Sequence, residues 1–205
     1  MKRWQKPFKG TCSRFAGLKK AMSDIQLIRN CAPTLAGLKV GSLFNAGGSK
    51  AEVDRVILRW NAALGPKGVW ARCLRRSRDR ALIYVYRPKA LCAHLNTGAA
   101  RRFLAHYGYP ADAAADPERL IAHLTARLKS EAHFPHEIGL FLGYPLEDVA
   151  GFVVHRGRQC KCVGCWKVYG DEVSAQKRFQ IYKSCTRHFC RSYRSGFTVD
   201  RLTVG

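Results

Sequence analysis

The sequence predicts an α+β fold: a small, mostly antiparallel sheet covered by helices, in a single domain. Three observations carry that prediction. Strand-like and helix-like periods both occur, they do not alternate regularly, and two β-rich runs face each other across a polar turn. Ser23 is a natural N-cap for a helix over 24–31, and Pro33 suits the first position of a short second helix. Residues 39–45 read as a strand. The loop at Gly47-Gly48 leads into a Ser49-x-x-Glu52 capping box, after which Val53, Val56, Ile57, Trp60 and Leu64 mark the buried stripe of a helix ended by Gly65-Pro66. The runs 69–75 and 81–87, separated by the polar turn 76–80, form a hairpin whose stretch 82–86 is the central strand.

Helical patterns follow at 88–95, 99–107 and 117–130, the last with Asp116 as N-cap and Pro117 at its first position. Two short helices at 135–142 and 145–149 each open with proline. Residues 151–155 and 165–169 read as short strands, and a final helix runs over 171–194. The basic stretch 1–21 shows no clear period and reads as a loosely ordered extension of a domain spanning 22–205.

A chain of 205 residues that is 47% hydrophobic can bury a core without disulfide staples, which excludes wholesale disorder. No apolar run approaches the roughly 20 residues that span a bilayer. The first residues carry charge but no apolar signal-peptide core, so the expected compartment is the cytoplasm. Thirty-six Lys and Arg against fourteen Asp and Glu give a net charge of +22. That field attracts polyanions, and a basic nucleic-acid-binding module is one reading of it. The bases are spread along the chain without a known nucleic-acid motif, and an acidic protein partner satisfies the same field.

Nine cysteines in a chain without an export signal point to metal binding, redox work or burial. Cys160, Cys162 and Cys165 place three thiols within six residues of a Gly-containing turn, where soft thiolates favour zinc or an iron-sulfur cluster. Cys185 and Cys190 are candidates for a fourth ligand. On one helix they point about 140° apart, and Cys185 falls on the apolar stripe of Phe179, Tyr182 and Phe189. Elsewhere, Cys31 stands where a helix is expected to begin, a position that stabilises thiolate. With His136 as base and Glu137 to orient it, Cys31 is the nucleophile of an alternative reading, a cysteine-dependent enzyme.

The segments CAPTLAGLKVGSLF at 31–44, ALIYVYRP at 81–88, FPHEIGLFLGYPLEDVAGFV at 134–153, CKCVGCWKVYGD at 160–171 and YKSCTRHFC at 182–190 resemble the bacterial family catalogued as domain of unknown function 3793. The resemblance covers residues 22–205. It transfers no catalytic residue. It implies a cytoplasmic protein of anaerobic or facultatively anaerobic bacteria, associated with flavodoxin and iron-uptake functions. Flavodoxins are acidic, so a +22 chain is steered towards one. The leading expectation is a metal-binding or thiol-redox accessory protein of iron or flavodoxin metabolism, with the clustered cysteines as ligands or redox thiols.

Overall fold

The computed structural model describes residues 22–77, 80–110, 116–130 and 134–205, so the basic extension at 1–21 lies outside the described residues. The strand β3 (Arg80–Tyr86) is the centre of a three-stranded antiparallel sheet, and six of its seven residues are buried. β1 (Gly41–Gly47) pairs along one edge, from Gly41 opposite Tyr86 to Gly47 opposite Arg80. β2 (Trp70–Ser77) pairs along the other, with a register shift between Cys73 and Arg75 that turns Leu74 into the core. The expected α+β class and the central strand are both present.

Side chains of β3 alternate between two cores, as a period of two requires. Ala81, Ile83 and Val85 pack with α1 (Asp24–Leu35), α2 (Lys50–Leu64) and α9 (Val199–Leu202). Leu82, Tyr84 and Tyr86 face α3 (Pro88–Leu95), α4 (Gly98–Ala105), α5 (Pro117–Ser130), α6 (Ile138–Phe141) and α7 (Leu146–Val154). The sheet is thus the middle of three layers. α8 (Glu172–Arg194) packs its C-terminal half, through Phe189, on the α1 side.

Three local expectations are corrected. α1 runs through Pro33 to Leu35, so no second helix begins there; residues 31–35 are all buried, and this packing outweighs the proline's missing donor. The strand expected at 39–45 starts at Gly41, because the N–H groups of Leu38 and Lys39 both bond back to the Pro33 carbonyl. Residues 151–155 lie in and at the end of α7, where no partner strand is available and Pro145 has already set a helical start. The strand expected at 165–169 is shortened to β5 (Lys167–Val168), and its partner is β4 (Cys162–Val163), which lies inside the expected turn; the other expected elements occur within a few residues.

The C-terminal carbonyls of α1 are closed by a distant arginine. Arg87 donates from Nε to Thr34 O at 2.7 Å and from Nη2 to Leu35 O at 2.7 Å and to Val204 O at 2.6 Å. Lys67 Nζ reaches Thr203 O at 2.8 Å, and Val204 N–H bonds to Leu35 O. The last turn of the chain is therefore clasped against α1.

Candidate functional site

The β4–β5 hairpin carries the cysteine-rich turn, and a buried carboxylate holds it. Asp148, 3% exposed in the first turn of α7, accepts Trp166 Nε1–H at 2.6 Å on Oδ2, and the N–H groups of Tyr169 and Gly170 at 2.6 and 2.8 Å on Oδ1. Three donors satisfy a charge that burial would otherwise penalise. Trp166 is wedged between Tyr144, stacked at 4.8 Å, and Phe179 of α8, edge-on at 4.5 Å. Gly164 permits the closest approach: a Cβ there would lie 2.1 Å from the Phe179 ring.

This packing lays the hairpin along α8 and separates its thiols. Cys162 lies beside Glu172 and Gln176, with Cys160 as its neighbouring thiol; burial first, then Glu172, raise its pKa. Cys165 lies further along the helix, among Lys39, Tyr144, Tyr182 and Lys183. Cys185 and Cys190 pack against the α1-side core, and burial pushes Cys185 up to about 11. The five cysteines therefore do not converge. Among the described residues, no group of three or more His, Cys, Asp or Glu is placed to hold a metal ion, so this arrangement does not fit the zinc or iron-sulfur centre expected from the spacing.

Nor does the structure bring together the second constellation. Cys31 lies inside continuous α1 rather than at a helix start; it is fully buried, and desolvation drives its pKa upward. Glu137 belongs to the opposite side of the sheet, where Oε1 accepts Arg127 Nε–H at 2.6 Å and Tyr109 O–H at 3.3 Å. The His136 ring packs against Phe152 of α7. The sheet separates the proposed nucleophile from the carboxylate meant to orient its base.

What the structure does assemble is a cluster around Cys165, the one exposed cysteine among the described residues. Lys39, in the α1–β1 connection, places Nζ 5.3 Å from the Tyr144 ring centroid. The Tyr144 hydroxyl donates to Cys165 O at 3.4 Å, and the Tyr182 hydroxyl donates to Leu38 O at 3.3 Å. Half-burial lowers the Lys39 pKa to about 8, with Cys165 and then Cys31 opposing the shift. Desolvation raises the Cys165 pKa, opposed first by Lys39 and then by Lys183. Burial, then Cys165 and Tyr182, raise the Tyr144 hydroxyl. Each charged form, ammonium and thiolate, is thus favoured by the other and disfavoured by its surroundings. Sequence reasoning misses Lys39, Tyr144 and Asp148 as site residues, because no local spacing ties any of them to Cys165 or Trp166.

A family model described as protein of unknown function, DUF3793, matches residues 27–203. The chain belongs to the DUF3793 family. Four of the five segments that carry the resemblance meet in this DUF3793 chain at the cluster just described: Lys39 comes from 31–44, Tyr144 and Asp148 from 134–153, Cys165 from 160–171 and Tyr182 from 182–190. No curated protein and no solved structure matches the chain.

Proposed function

We propose that this DUF3793 protein is a thiol-redox accessory protein whose working residue is Cys165, docking on an acidic redox partner such as a flavodoxin. One observation carries the reading: an exposed thiol held on a pinned hairpin between two lysines, the nearer of which has a depressed pKa. Cys165 gives its proton to solvent, and the charges of Lys39 and then Lys183 offset part of the desolvation cost of the thiolate that forms. That thiolate attacks one sulfur of a disulfide substrate, such as glutathione disulfide, and the other sulfur leaves as thiolate. The surplus of cations supplies the attraction for an acidic surface. Among the described residues no helix is long and apolar enough to cross a membrane.

Two measurements test this reading. Iodoacetamide labelling of the full chain, mapped by peptide mass, is expected to modify Cys165 with a pH profile that moves upward in Lys39→Met and in Lys183→Met. A profile that neither substitution moves overturns the role of Cys165. Calorimetric titration with holo-flavodoxin is expected to show binding at about 20 mM salt that is lost by about 0.5 M. Absence of binding at low salt overturns the acidic partner.

A further inference from the structure

The charge on α8 has one sign. After Glu172 in its first turn the helix carries no further acidic residue, yet it exposes Lys177, Arg178, Lys183, Arg187, Arg191 and Arg194. At 3.6 residues per turn, Lys183, Arg187, Arg191 and Arg194 fall within an arc of about 80° and run for about 16 Å along the helix. The side that packs on the molecule, through Ala175, Phe179 and Phe189, points elsewhere. The helix dipole favours Arg191 and Arg194 in the last turn but does not account for Lys183 and Arg187. Like charges three and four residues apart repel, and an exposed helix face ordinarily relieves this with interleaved Glu or Asp. None is present here, and Arg187 and Arg191 pair with no carboxylate elsewhere among the described residues. A bound polyanion relieves that repulsion.

The make-up of the stripe selects the polyanion. Protein interfaces centre on apolar and aromatic residues and are depleted of charge there. Of the exposed apolar residues on α8, Val173 stands in the first turn, about 15 Å before Lys183, and Ile181 lies about 160° round from it. Tyr182 and Tyr193 are half-buried on the packed side, so the stripe offers no platform for the unstacked bases of a single strand. Continuous cations, mostly arginine, without an apolar centre match the polar, positive faces that hold a duplex backbone. A helix roughly 10–12 Å across also suits the roughly 12 Å major groove of B-DNA, with its stripe against one flanking strand.

We propose that the exposed face of α8 carrying Lys183, Arg187, Arg191 and Arg194 docks on the phosphate backbone of double-stranded DNA without reading base sequence. The inference goes beyond the reading of Cys165 and does not depend on it. Each phosphate neutralised releases condensed counterions, so affinity falls with salt, and four contacts give log K against log salt a slope of about −3.6.

The test is fluorescence anisotropy of the full chain with a labelled duplex of about 20 bp and mixed sequence, from about 50 to 300 mM KCl. Binding with a slope of at least that steepness is expected. Arg187→Gln with Arg191→Gln is expected to make the slope shallower by about 2 and to weaken binding about 10- to 100-fold near 0.1 M salt. Tm is expected to stay level or rise as repulsion is removed, which separates weaker binding from unfolding. Arg55→Gln with Lys89→Gln, exposed on α2 and α3, removes the same charge and is expected to leave the slope unchanged. Absence of binding at 50 mM salt, or equal losses in the two pairs, overturns the α8 face. So does poly-L-glutamate binding that the α8 pair weakens while duplex binding is unaltered, an outcome that gives the stripe to an acidic protein.

Discussion

Lys39 bears its charge at a cost. A lysine whose folded pKa falls to about 8 from its ordinary 10.5 is charged in both states below pH 8, and there the folded state carries the penalty. Between pH 8 and 10.5 the unfolded chain binds more protons, so this group's contribution to stability rises with pH across that window. Lys39→Met, measured by urea unfolding in a Cys165→Ser background, is expected to be more stable than its parent by about 1 kcal/mol at pH 7, the gain vanishing near pH 10. Equal destabilisation at both pH values would show that the ammonium is well satisfied. At this scale little of the site was legible. Lys39 stands where a strand seemed to begin, and its neighbours Tyr144 and Cys165 lie far along the chain, as does Tyr182, which bonds the adjoining Leu38 carbonyl. Asp148 looked like an ordinary acidic residue in a helix's first turn, and only the folded chain shows the three donors that it collects.

At the level of elements, the hairpin and α8 act as one unit because Gly164 lies flush on Phe179. Gly164→Ala forces a Cβ into that ring, so the hairpin must lift or Phe179 must leave its rotamer. We expect a loss of roughly 1–3 kcal/mol in thermal unfolding and faster iodoacetamide labelling of Cys162, with the three-stranded sheet intact by circular dichroism. Unchanged labelling would mean that the hairpin is held by Asp148 alone. Elements set by local chemistry were readable from sequence. The Ser49 capping box is formed, with Ser49 N–H donating to Glu52 Oε2 at 2.7 Å, and the β2–β3 hairpin follows its apolar runs. The misread elements were those whose local preference is overruled by packing: Pro33 buried inside α1, and the Phe152-Val153-Val154 run drawn into α7.

Over the whole molecule, the fourteen acidic residues do little to neutralise the thirty-six bases. Glu52, Asp116 and Asp171 accept helix-start N–H groups, and Asp148 is spent on the hairpin. Ion pairs among the described residues include Arg59–Asp24, Arg72–Glu118, Arg76–Asp54 and Arg127–Glu137. The remaining cations project a field that composition alone had disclosed, though not the surface on which it acts. One arginine is instead structural at long range. Arg87→Met removes the donors that close α1 against the chain end, and is expected to lower Tm by roughly 5–10 °C and to open residues 199–205 to carboxypeptidase. Unaltered digestion would show that Lys67 holds that end by itself.

The order β1-β3-β2 also sets a sequence of events in time. β2 ends at Ser77 and β3 begins at Arg80, so their pairing closes a very short loop, whereas β1 joins only after α2 and β2 have been spanned, and α8 meets α1 across most of the chain. Loop-closure entropy rises with separation, and long-range contacts form late. The neighbourhood of Lys39 and Cys165 is built from the most distant of these contacts. Loop-closure entropy leads us to expect that it forms late in folding, which pulse-labelling of Cys165 during refolding would check against the β2–β3 pairing.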